Sequence, residues 1–307
     1  EAAAAAAWQI GIQHLVIPLA DVYRREVLDY FRSEYRSGRT PNPCVMCNKA
    51  VKFGALLSAV SAKGIVFDSF ATGHYARVDF DPATTRHLLK RGLDRSKDQS
   101  YFLSRLTQDT LRRVVFPLGS LTKKTVREQA RACGFEDYAE KPESQDFIES
   151  DCYGVLFDET DRRPGPIQDL FGHVLGQHRG IVYYTVGQRK GLGLSGFKES
   201  LYVVRIDAAR NTVIVGPQGA LRARQFAATG MNWIAAISPA SGAFHAAVKI
   251  RQQHRSSPAV VTFPDTRDPS RVRVEFAESQ MSITPGQTAV LYNEDIVLGG
   301  GTIDRVL

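Results

Sequence analysis

A chain of 307 residues with 43% hydrophobic side chains is long enough for two or three cores. Its net charge of +7 and pI near 9.3 point towards polyanionic partners. Four cysteines are too few for a disulfide framework, and no stretch approaches the roughly 18 apolar residues of a bilayer span. Residues 2–7 are an alanine run without a basic flank, so no signal peptide is read there. A reducing, cytoplasmic setting and no membrane partner are expected.

Residues 1–160 alternate helix and strand. An alanine-rich helix ends at Gly11, and 14–19 read as a short buried strand. Asp21 is placed to cap a helix through Tyr35, with Val22, Leu28, Phe31 and Tyr35 on one face. A helix over 49–62, stopped by Gly64, then leads to a buried strand over 65–71. Such alternation predicts a parallel sheet covered by helices, with ligands at the carboxyl edge of its strands. Thr72-Gly73-His74-Tyr75-Ala76-Arg77 falls on that edge.

Residues 86–91 read as a hairpin return and 97–103 as the opening of a helix. Thr122 or Thr125 caps the next helix, whose Val126, Ala130 and Cys133 share a face, so Cys133 is expected to be buried. Between Arg86 and Arg131 stand twelve Lys/Arg against four Asp/Glu, which accounts for the whole positive excess. Beyond about residue 161 short β-branched runs replace helical periodicity. Strands are expected over 172–175, 181–186, 201–206 and 213–216. A second β unit comes next, with strands over 246–251, 259–263, 272–276, 288–292 and 296–299, spaced as in a small barrel.

Between the first two long helices lies Arg39-Thr40-Pro41-Asn42-Pro43-Cys44-Val45-Met46-Cys47-Asn48-Lys49. Pro41 and Pro43 oppose helix, and Asn48 is expected to cap the helix beyond them. Cys47 would then sit at a helix N-terminus beside Lys49, where amide dipoles and a cation lower a thiol pKa. Reactive or metal-binding chemistry fits this setting better than a structural cysteine.

Several stretches coincide, in order, with one family. Asn42-Pro43-Cys44-Val45-Met46-Cys47-Asn48 with Val51-Lys52-Phe53, then Ala71-Thr72-Gly73-His74-Tyr75, Lys97-Asp98-Gln99-Ser100-Tyr101, Gly187-Gln188-Arg189-Lys190-Gly191-Leu192-Gly193 and Pro285-Gly286-Gln287 together resemble the MnmA family of tRNA-specific 2-thiouridylases. The resemblance implies an adenine nucleotide alpha hydrolase-like α/β domain over 1–160, incomplete at its N-terminus. A small β domain over 161–222 and a C-terminal β-barrel over 223–307 would complete the chain. It also implies a reaction: ATP with Mg2+ adenylates the uracil C2 oxygen at the tRNA wobble position, and a persulfide sulfur displaces AMP.

By motif position Cys47 is the nucleophile, Asn42, Pro43 and Cys44 meet the target base, and Gly73 contacts ATP. His74, Lys97, Asp98, Gln99, Arg251, Gln252 and Gln287 match tRNA contacts, although the family usually has an aromatic residue where Gln252 stands. Partners implied are tRNA and a persulfide-donating relay protein or cysteine desulfurase.

Three departures shape the expectation. No Ser-Gly-Gly-x-Asp-Ser pyrophosphate loop is present, so the chain is read as truncated and poor at holding ATP. A non-catalytic tRNA-binding protein is the alternative, and sequence upstream of Glu1 would decide between them. Asp146 stands where the family's second, sulfur-carrying cysteine is found, and Cys44 where the family commonly has aspartate. Cys44 and Cys47 therefore either form a redox pair, one carrying sulfur, or ligate an iron–sulfur cluster with Asp146 or Cys152 as further ligands.

Overall fold

The computed structural model describes residues 2–140 and 153–307. Alanine is the best helix former, and the alanine run builds α1 (Ala2–Gln9) before Gly11 turns at φ +69°. Residues 14–19 are irregular rather than a strand; Leu15 and Val16 are exposed and pair with no strand among the described residues. Ala20–Tyr23, Arg24–Asp29 and Tyr30–Arg36 run on as one helix, α2. Leu19 rather than Asp21 holds its capping position, with no side-chain cap. Val27, Phe31 and Tyr35, four residues apart, are its buried stripe.

Pro43–Met46, Cys47–Ala55 and Leu56–Ala62 form a second continuous helix, α3, whose middle stretch winds in wider i→i+5 turns. By length and composition alone α3 could cross a bilayer. Val45 and Phe53, however, pack into a protein core, and Lys49 and Lys52 interrupt its apolar run. Only Phe70–Ala71 of the expected 65–71 strand is extended; it forms β1, paired in parallel with β4 (Val114–Val115). Among the described residues this pair is all there is of the expected parallel sheet. Residues 97–103 hold a single 3-10 turn, Ser100–Leu103, instead of a helix start. Thr122 does cap α4 (Lys123–Ala132), accepting from Thr125 N at 3.1 Å. That helix buries no residue, so Cys133 at its end is exposed rather than in a core.

In the middle segment β5 (Gly165–Gln168), β6 (Val174–His178), β7 (Tyr202–Asp207) and β8 (Thr212–Gly216) form one sheet in the order β6-β5-β8-β7. Its core of Ile167, Val203, Val213 and Val215 takes Phe31 and Tyr35 from α2. Residues 181–186 are not a strand. Gly180, at φ +128°, turns the chain into the 3-10 turn Ile181–Tyr183.

The last segment supplies β9 (Arg222–Trp233), β10 (Ala243–Lys249), β11 (Ser257–Thr262), β12 (Val272–Met281), β13 (Thr288–Asn293) and β14 (Ile296–Val306). They pair in the order β13-β10-β11-β12-β9-β14, and β13 pairs β14 to close a six-stranded barrel. β9 was not expected, because its small and polar residues carry little strand signal. The hairpin of β2 (Ala76–Asp81) and β3 (Arg86–Arg91) joins this sheet through Lys90 against Ile296. A shared core unites Val45, Phe53, Leu89, Tyr101 and Leu103 with the barrel's Val290, Tyr292 and Val297. Each such side chain contributes roughly 1.5–3 kcal/mol when fully buried, so barrel and helices pack as one body.

Candidate functional site: a cysteine-bearing cavity

The cysteine loop is built differently from expectation. Asn42 is extended (φ −114°, ψ 91°) and its side-chain oxygen accepts from Val45 N at 3.2 Å, so Asn42 caps α3 and Pro43 is its first residue. Proline suits that position, because a first-turn N–H has no intrahelical acceptor anyway. The prolines therefore start the helix rather than hold it off. Asn48, expected as the cap, lies inside and buried, and its Nδ2 donates to the Cys44 carbonyl at 3.1 Å. Cys44 thus belongs to the first turn of α3 and Cys47 to the second.

A cavity of about 1120 Å³ opens against this turn. Cys44, Asn48 and Lys52, each four residues apart, give it one helical face. Gly73 and His74 enter from the end of β1, and Lys97, Asp98 and Gln99 from the loop after β3. Thr185 and Gly187 come from the middle segment, and Arg251, Gln252 and Gln287 from the barrel. Of the residues singled out in the sequence, Asn42, Cys44, Gly73, His74, Lys97, Asp98, Gln99, Arg251, Gln252 and Gln287 all line it. Pro43 and Cys47 do not. Sequence reasoning missed Thr40, Lys52, Lys123 and Thr284, also in the wall. Lys52 was findable from its four-residue spacing behind Cys44 and Asn48; Thr284 carries no local signal.

Many of these groups are engaged within the protein. Asp98 is 5% exposed; its Oδ1 accepts from Gly92 N and Ser100 N, both at 3.1 Å, and its Oδ2 from Ser100 Oγ at 3.0 Å. Gln99 Oε1 accepts from Tyr75 N at 3.0 Å, and Gln252 Nε2 donates to the Asp98 carbonyl at 2.9 Å. Gln287 Nε2 donates to the Thr40 and Pro41 carbonyls, both at 3.2 Å. These amides hold the wall together. Gly73 is different: an added Cβ would meet only Leu118 Cδ1, at 3.6 Å, so the fold itself does not require glycine there.

Lys52, Lys97, Lys123 and Arg251 face the cavity against the single carboxylate of Asp98, so its field is positive. The basic segment is only partly available for this. Arg86 bonds the Ile234 and Trp233 carbonyls, Lys90 pairs with Asp79, Arg95 pairs with Asp295, and Arg91 stacks on Tyr292. Both thiols depart from expectation. Burial pushes Cys44 and Cys47 above the ordinary thiol range, and the Lys52 ammonium only partly opposes it. A short first turn does not outweigh desolvation.

His74 sits between Phe53 and Phe116 and shares a 2.8 Å hydrogen bond with Thr72 Oγ1. Burial, helped by Lys52, pulls its pKa down to about 4 from an ordinary 6.5. The folded state thus disfavours the imidazolium. Stability from the neutral ring is complete above pH 6.5 and is lost as pH falls towards 4. We expect about 2 kcal/mol of loss by pH 5. Urea unfolding at pH 7 and pH 5 measures it, and His74→Gln should remove that share; an equal pH slope in the variant contradicts it.

Among the described residues no third His, Cys, Asp or Glu joins Cys44 and Cys47 in a set able to hold a metal ion. Asp146 and Cys152 lie outside the described residues. Two thiols alone do not complete an iron–sulfur site.

Comparison with known proteins defines first the class. Residues 1–150 match the family model described as a tRNA methyl transferase HUP domain, and 154–217 its PRC-barrel domain. Residues 223–303 match an aminomethyltransferase beta-barrel domain. A HUP-type α/β segment followed by two β domains is thus the architecture. Curated relatives narrow it. The tRNA-specific 2-thiouridylase MnmA of Endomicrobium trichonymphae is 46% identical over 295 residues, covering 94% of this chain and 80% of the relative. That of Heliobacterium modesticaldum is 44% identical over 305 residues (97% and 77%), and that of Nostoc punctiforme 42% over 301 (97% and 84%). The chain belongs to the MnmA family of tRNA-specific 2-thiouridylases.

Proposed function

We propose that this protein transfers sulfur to C2 of a uridine in tRNA, at the wobble position of the anticodon. One observation carries the reading: Cys44 opens on a positively charged cavity large enough for a splayed nucleotide. A uracil C2 carbonyl has a poor leaving group, and ATP supplies a better one by adenylating the oxygen. Gly73, where the fold leaves room for a ligand, is the residue assigned to the nucleotide. Among the described residues no glycine-rich turn opens a helix onto the cavity, so the ATP phosphates have no amide cradle there. Among them no group of three or more His, Cys, Asp or Glu is gathered to hold a metal ion.

The chain's own residues supply the sulfur step. Cys44 carries the sulfane sulfur, received from a persulfide donor protein, because its side lines the cavity. The terminal sulfur attacks C2, AMP departs, and a C2–S–S–Cys44 link remains. Cys47, on the next turn, attacks the Cys44 sulfur as a thiolate. The S–S bond breaks towards the base, leaving a C2 thiocarbonyl and a Cys44–Cys47 disulfide that an external dithiol must reduce. Lys52 favours the thiolates of both. Lys97 and Arg251 are assigned to tRNA phosphates, with His74 against the anticodon nucleotides.

The natural gene, introduced into cells lacking a 2-thiouridylase, is expected to restore 2-thiouridine in tRNA hydrolysates. Protein that binds tRNA but yields no 2-thiouridine would establish the non-catalytic binder instead.

A further inference from the structure

We propose that Gln287, with Gly286, is a positioning residue: the barrel holds the Thr40–Pro41 backbone and thereby sets Cys44 at the cavity wall. The proposal rests on the sulfur-transfer reading of that wall and adds what fixes its geometry.

The contact is made almost wholly of backbone. Thr40 N donates to the Pro285 carbonyl at 2.8 Å, and Gln287 Nε2 donates to the carbonyls of both Thr40 and Pro41. A side-chain amide has two N–H donors, enough to serve both carbonyls. Gly286 is at φ +92°, and a Cβ on it would lie 2.8 Å from both Thr40 N and Thr40 O. Only glycine lets the barrel turn approach so closely. The turn is itself anchored, since Gly286 N donates to the Ile303 carbonyl at 2.8 Å and Ile303 N to the Gln287 carbonyl at 2.8 Å. Arg39 fastens the other end of the loop. Its Nε pairs with Glu34, while Nη1 and Nη2 donate to the Asp304 and Ile303 carbonyls at 3.1 and 3.2 Å.

The chain between Thr40 and Cys44 is short and stiff. Pro41, Asn42 and Pro43 lead straight into the capped turn that carries Cys44, with little freedom to absorb a shift at Thr40. Residues more than two hundred positions apart therefore fix the direction of one thiol.

The test is hydrogen exchange at the amides of residues 40–46 together with the iodoacetamide reaction rate of Cys44, with exposed Cys133 as an internal reference. Gln287→Met keeps the length of the side chain and removes both donors. Gly286→Ala strains the same contact without adding polar chemistry. In Gln287→Met we expect roughly tenfold faster exchange at 40–46. Cys44 should react severalfold faster while Cys133 is unchanged. Unchanged exchange overturns the proposal. Faster exchange with unaltered Cys44 reactivity also overturns it, because the loop would then be held only for its own sake. Should Gly286→Ala fail to fold, Gln287→Met decides alone. No thiolation is measured, so failure here is separate from failure of the functional reading.

Discussion

Serine at Cys44 or at Cys47 will leave tRNA without detectable 2-thiouridine while tRNA binding persists. The two losses have different origins, and mass spectrometry separates them. Cys44→Ser removes the atom that receives sulfur, so incubation with a persulfide donor should add no sulfur to peptide 40–49. Cys47→Ser should still load at Cys44 and then stall as a disulfide-linked adduct between Cys44 and the base, because no second thiolate breaks the S–S bond. Both thiols are raised by burial, so turnover should climb with pH through the neutral and mildly alkaline range as the thiolates form. Full thiolation in either serine variant contradicts the pairing.

Gly119→Ala will unfold the cavity wall, with a loss of at least about 3 kcal/mol. An alanine Cβ there would lie 1.7 Å from the Ala76 carbonyl oxygen and 2.7 Å from its carbon. Both are backbone, in a strand paired along its length to β3, so neither can yield. Gly119 also offers its carbonyl to Leu93 N at 2.8 Å, which ties the loop after β4 to the loop carrying Lys97 and Asp98. The strand end with Gly73 and His74 and the Lys97–Gln99 loop should loosen together. Thermal and urea unfolding of the variant measure the effect; a midpoint within a degree or two of the parent contradicts this packing.

Much of the site was legible because its residues stand in short local motifs. Asn42, Cys44, Gly73, His74 and Lys97 to Gln99 are fixed by loops whose proline and glycine content is visible in the sequence, and all reach one cavity. Local chemistry failed where two answers were equally good. Asn42 and Asn48 are both competent caps, and the choice fell to Asn42 because Pro43 is at home in a first turn. The 14–19 and 65–71 runs have the apolar residues of buried strands, yet a strand needs a partner. Among the described residues only Phe70 and Ala71 find one, in Val114 and Val115. Cys133 had helical spacing but lies on a helix that buries nothing. The thiol electrostatics were misjudged because the burial of Cys44 and Cys47 comes from tertiary packing around α3, with Tyr23 of α2 among the neighbours, which no local motif states. The role of Gln287 was beyond reach for the same reason: its partners, Thr40 and Pro41, are far away in the chain.

In this mechanism the target uridine enters the cavity beside Cys44. A tRNA carrying 5-bromouridine at the wobble position, irradiated in complex with the protein and digested, tests it most directly. A cross-link to peptide 40–49 or to the Thr72–Tyr75 strand end is expected, abolished by excess unmodified tRNA. A cross-link confined to the outer barrel strands, with none on either of those segments, would contradict it.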